Sequence, residues 1–229
     1  MSASDAGSRP MSDMNMVIAL DSSGSISTAE RRLQFEGVAY ALKHENFLAA
    51  VRGGVHANIS ISIVSWNAEG RHPGASLLVP WMTLSNKKDA ELASSVLLQN
   101  LEEQPSNPPL AQTDISLALR SAIELLSAAP AFGSIQVVNV IGDGLDNAGE
   151  SPSVYRDIAV EQGTTINALI VAEDKKKVLE NYYRENVIGG FRSFVQVTTD
   201  FNSFADAMLH KMLTEMAALM PPTTARVVY

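Results

Sequence analysis

The segment "VIALDSSGSIS" (17–27) runs from an apolar stretch into Asp21, Ser23 and Ser25. Four serines and one glycine crowd the seven residues from Asp21, too short a stretch for a low-complexity linker. Two more oxygen donors stand far along the chain: Thr113, where an amphipathic pattern begins, and Asp143, within "VIGDG" (140–144). Together these are two carboxylates and three hydroxyls, and no lysine, histidine or cysteine accompanies them in the three segments. Oxygen-only donor sets suit hard divalent cations such as magnesium and manganese, which keep waters or an outside ligand in their shell. Two carboxylates cancel the ion's charge in part, while neutral hydroxyls coordinate without cancelling more. Such an ion would stay electrophilic and seek a further carboxylate.

The elements around these residues must bring them together. Met16 to Leu20 is continuously apolar, as in a strand buried on both faces. Ser27 and Glu30 have capping-box spacing, so a helix should follow, carrying Leu33, Val38, Leu42 and Leu48 and ending before Gly53. "ANISISIVSW" (57–66) alternates with period two and reads as a strand. "SLLVPWMTL" (76–84) reads as another, which Pro80 confines to an edge. The connection between them is too short for a crossover helix, so the two should pair antiparallel. Further helices are expected at 87–103, from Thr113, at 151–163, 175–190 and 202–217, with strands at 134–144, 164–173 and 193–199. On the last helix Met208, Met212 and Met216 form a stripe for burial; Tyr182, Tyr183 and Phe191 read as packing residues.

This alternation predicts an α/β fold: a doubly wound, Rossmann-like three-layer sandwich whose mostly parallel sheet has one antiparallel edge strand. In such sheets ligands sit beyond the carboxyl ends of the strands, where the winding reverses. Asp21 and Asp143 both end strands at that edge.

Composition bounds the function. The 229 residues are 46% hydrophobic and 18% charged, as in an ordinary globular protein. Lys and Arg number 17 against 25 Asp and Glu, a net charge of −8 that disfavours nucleic acid, whose phosphates need neutralising. The absence of cysteine excludes disulfides, thiolate zinc sites and cysteine nucleophiles. The four histidines lack H-x-x-x-H spacing, which argues against zinc. No apolar window is long enough for a membrane span. Residues 1–14 lack the apolar core of a signal peptide and read as a flexible polar leader, 15–217 as one domain, and 218–229 as an irregular tail. The expectation is a soluble protein, cytoplasmic, or periplasmic or secreted where a signal has been removed.

Asp21-Ser-Ser23-Gly-Ser25, the later Thr113 and the strand ending at Asp143 resemble the von Willebrand factor A domain. They match the metal-ion-dependent adhesion site (MIDAS) of that superfamily, written D-x-S-x-S, T and D. Element order agrees over the whole globular part, and "YYRENVIGGFRSFVQV" (182–197) is similar to a bacterial branch of no assigned function. The resemblance implies that Ser23, Ser25 and Thr113 ligate magnesium, or alternatively manganese or calcium, directly or nearly so. Asp21 and Asp143 would hold coordinated waters or switch between direct and indirect contact. It implies a non-enzymatic module whose ion binds an aspartate or glutamate of a partner protein, with no small-molecule substrate. Gln112 stands where many relatives carry glycine.

Each donor alone has a plainer role. Ser25 could cap or turn, Asp21 and Asp143 could be turn aspartates, and Thr113 could be an N-cap. Their convergence on one sheet edge favours the metal. Asp114 reads as a first-turn carboxylate favoured by the helix dipole, and Asp146 and Asn147 lie where they would shape ligand access at the rim. The rival is a magnesium-dependent hydrolase of haloacid-dehalogenase type with Asp21 as nucleophile. That chemistry needs a second aspartate two residues on and a lysine near the second acidic loop. Here Ser23 fills the first position, and no lysine lies near Asp143.

Overall fold

The computed structural model describes residues 9–69, 72–103, 111–172 and 176–217. Strand β1 (Met11–Asp21) lies at the middle of the sheet, and all of it but Met11 is buried. Strands β2 (Ile59–Glu69) and β4 (Phe132–Gly142) flank it, both parallel to it. Outside them lie β3 (His72–Leu84), β5 (Thr164–Val171) and β6 (Val195–Thr198), giving the order β3-β2-β1-β4-β5-β6. Only β3 runs antiparallel. Its Pro80 sits at the edge, where the register slips between Ile61 opposite Met82 and Ile63 opposite Val79. An irregular edge position tolerates a residue with no amide to donate.

The pleat sends alternate side chains to opposite faces. Met14, Met16, Ile18 and Leu20 pack under α1 (Thr28–Lys43), α2 (Glu45–Arg52), α3 (Lys87–Glu103) and α7 (Phe204–Ala217). Val17 and Ala19 pack under α4 (Ile115–Ser127), α5 (Pro152–Glu161) and α6 (Lys176–Asn186). Two apolar layers thus sandwich the sheet, as the alternation predicted. Met208, Met212 and Met216 are buried on α7, as the stripe required.

Four details depart from expectation. Residues 11–14 belong to β1 rather than to a leader. Their polar letters hid a strand: Ser12 Oγ donates to Met14 O at 2.9 Å, and Asp13 accepts from His56 N at 2.9 Å. The rest of that leader up to residue 8, and the tail 218–229, lie outside the described residues. The helix expected up to Gly53 is two, because His44 is extended (φ −67°, ψ 134°) and its Nδ1 accepts from Asn46 N at 3.2 Å, capping α2. The capping box before α1 is present, with Ser27 Oγ accepting from Glu30 N and Glu30 Oε2 from Ser27 N. Helix α4 is capped by Asp114 rather than Thr113. Phe191, expected to pack, is 76% exposed, while Tyr183 is fully buried.

Candidate metal centre

The chain winds from β1 out to β3, then returns to β4 and winds the other way. The reversal therefore lies between β1 and β4, where Leu20 pairs with Ile141. Asp21 ends β1 and Asp143 follows β4, so neighbouring strands deliver both carboxylates to one edge.

Hydrogen bonds join the two. Asp21 is 1% exposed, and its Oδ1 accepts from Ser23 N at 2.7 Å. The Ser23 and Ser25 hydroxyls stand 3.0 Å apart, and Ser25 Oγ donates to Asp143 Oδ1 at 2.8 Å. Gly24 N donates to Ala111 O at 2.7 Å, tying this loop to the segment before Thr113. Thr113 N donates to Asn147 Oδ1 and Asn147 N to Thr113 O, each at 2.9 Å. A Cβ on Gly144 would stand 3.4 Å from Thr113 Oγ1, which places that hydroxyl beside the Asp143 turn. The structure thus gathers Asp21, Ser23, Ser25, Thr113 and Asp143 into one crevice from three loops.

The electrostatics are uncompensated. Burial, and after it the charge of Asp143, pushes the Asp21 carboxyl up to about 7. Burial also raises Asp143, against the opposing pull of the Ser25 hydroxyl. Asp21 Oδ2 is buried with no hydrogen-bond partner. Among the described residues no lysine, arginine or histidine pairs with either carboxylate. A divalent cation would relieve this like-charge pair and take up the orphaned oxygen, so the donor set fits one. No group of three or more His, Asp or Glu side chains gathers among the described residues, so hydroxyls would complete the shell.

The three rim residues hold the walls together. Asp114 is buried, and its Oδ1 accepts from Leu117 N at 2.9 Å and from Ser116 Oγ at 2.6 Å. Asp146 Oδ1 accepts from Ile115 N at 2.7 Å, and burial pushes its carboxyl up to about 6. Asn147 alone of the three is exposed. Sequence reasoning missed two contributors. Ser22 Oγ donates to Trp66 O at 3.1 Å and pins the loop to β2, but a serine between ligand positions carries no mark of that. Gly142 leaves room for the site: a Cβ there would lie 3.1 Å from Asp21 Oδ2. Its place beside Asp143 was the available signal.

Sheet order, the single antiparallel edge and the placing of these donors define a von Willebrand factor A-type fold. The chain belongs to the family described as Protein of unknown function (DUF1194), whose model matches residues 11–220. No curated protein matches it. Among solved structures it is similar to the vWF domain of the type V pili tip protein Mfa5 from Porphyromonas gingivalis. That likeness has a TM-score of 0.63 and 12% identity, over 94% of this chain and 98% of that one. It is also similar to proximal thread matrix protein 1 from the mussel byssus, solved with a zinc-occupied MIDAS motif (TM-score 0.60, 17% identity, 92% of this chain). The chain spans about half of the mussel protein, 49%. Manganese-loaded TRAP protein of Plasmodium vivax is a third (TM-score 0.51, 12% identity, 88% of this chain and 74% of that one).

Proposed function

We propose that this chain is a non-enzymatic, divalent-cation-dependent protein-binding module, acting as one domain over residues 11–217. The observation that carries the reading is the Asp21–Ser23–Ser25–Asp143 hydrogen-bonded cluster, closed by Thr113, around a buried carboxylate oxygen with no partner. Asp21, Ser23, Ser25, Thr113 and Asp143 would hold magnesium, with manganese or calcium as alternatives. When bound, the ion supplies a Lewis-acidic position for an aspartate or glutamate of a partner protein. The chain's own part is to orient the hydroxyls: the turn at Ser23 is set by Asp21, and Thr113 is set by Asn147. Exposed Asn147 and Ser25 then present the rim to the partner. The zinc-occupied mussel protein and the manganese-loaded TRAP protein support an ion on this fold.

Calorimetric titration of metal-stripped protein with magnesium and with manganese tests the site. One saturable site is expected, abolished in Asp21→Ala and in Ser23→Ala while circular dichroism stays native. Binding that survives both substitutions would place the ion elsewhere and end the proposal.

A further inference from the structure

Tyr183 of α6 is fully buried, yet its hydroxyl has no hydrogen-bond partner. A buried hydroxyl left unmade is costly, and such groups in native folds call for an explanation. The explanation lies across Gly142. A Cβ on that glycine would stand 2.8 Å from the Tyr183 hydroxyl and 3.1 Å from Asp21 Oδ2. The second of these atoms is the other orphan of the site. Two unpartnered buried polar atoms, one donor and one acceptor, thus face the same small space, and the missing side chain of Gly142 keeps it open. The two atoms are therefore no more than 5.9 Å apart, within reach of a carboxylate rotation.

We propose that Tyr183 is a positioning residue for the metal centre, its hydroxyl donating to Asp21 Oδ2 and fixing the carboxylate in its ligating orientation. The inference rests on the metal reading of the preceding subsection. It adds to the D-x-S-x-S, T and D pattern a donor supplied by a different helix. Outer donors of this kind orient the ligands they touch, and removing one weakens metal affinity about 10–100-fold. Burial first, and Asp21 after it, hold the phenol well above its ordinary value, so it remains protonated and able to donate.

Tyr183→Phe removes the hydroxyl and keeps the ring. Titrated with manganese beside the intact protein, it should bind about 10–100-fold more weakly. Its metal-free far-ultraviolet circular dichroism should stay native, since the ring is kept. Manganese should also perturb the near-ultraviolet tyrosine absorption of the intact protein, and this difference signal should vanish in the variant. Equal affinity in the two proteins overturns the proposal and leaves the metal site standing. Weaker affinity accompanied by a non-native metal-free circular dichroism spectrum also overturns it, because a disturbed fold would then be the cause. No manganese binding by the intact protein removes the metal reading and this inference together.

Discussion

At the scale of single residues, the main tension in this molecule is the Asp21 carboxylate. Its carboxyl titrates at about 7 when folded and at 3.8 when exposed. Below the lower value both states are protonated and no charge is buried. Between the two, folding takes up a proton. Above about 7 the folded state holds an uncompensated buried charge, and the stability present at low pH has been lost. Metal-free protein is therefore expected to lose stability as pH rises from about 4 to about 7, Asp21 alone contributing at most about 4 kcal/mol. Asp21→Asn should flatten that slope in part, leaving what the raised Asp143 and Asp146 carboxyls contribute. Urea unfolding in chelator at about pH 5 and about pH 8 checks it, and an unchanged slope in the variant would assign the dependence to other groups. The donors that create this tension were legible because D-x-S-x-S is a local pattern whose chemistry survives translation into one dimension. Tyr183 was not, since α6 and the end of β4 lie far apart in sequence and meet only in the folded protein.

Among the elements, α7 separates what patterning reveals from what it hides. Met208, Met212 and Met216 announce a buried face through their spacing, and the structure buries all three. Lys211 and Glu215, spaced i and i+4, look like an exposed helix pair. They are 0% and 3% exposed. Lys211 Nζ donates to Glu215 and to Asn139 of β4, and Glu215 accepts from Asn139 Nδ2 at 3.1 Å and Asn167 Nδ2 at 2.7 Å. Hydropathy assigns such residues to solvent, because it cannot see that two strand asparagines wait beneath the helix. Breaking a buried pair strands its partner's charge, so Lys211→Ala should cost about 3–5 kcal/mol in urea unfolding. Arg184→Ala breaks the exposed Arg184–Glu180 bond of 2.7 Å and should cost under about 1 kcal/mol. Equal costs would mean that α7 does not hold its pair against the sheet. The break at His44 was hidden for a related reason: an apolar period continues through a residue whose backbone turns away.

Across the whole molecule, the winding reversal between β1 and β4 draws the β1–α1 loop, residues 111–114 and the β4–α5 loop to one edge, whereas the Lys211 cluster ties α7 to the buried middle of β4 and β5. The order of elements, and hence this layout, was readable from alternating periodicity, but the cross-loop bonds that close the site were not. Because the donors come from three separated segments, an unfolded chain cannot assemble them, and an ion should bind the native state alone. Such a ligand stabilises by about 2.7 kcal/mol at a hundred times its Kd. For a domain of this size, that shift corresponds to a Tm rise of about 5–11 °C. Scanning calorimetry with and without manganese should show this rise in the intact protein and none in Asp21→Ala. Lys211→Ala should melt lower throughout yet keep nearly the full rise, because distant independent sites add. Loss of the rise in Lys211→Ala would mean instead that the α7 cluster and the three loops form one coupled unit, with the ion sensing the seating of a helix that supplies none of the proposed ligands.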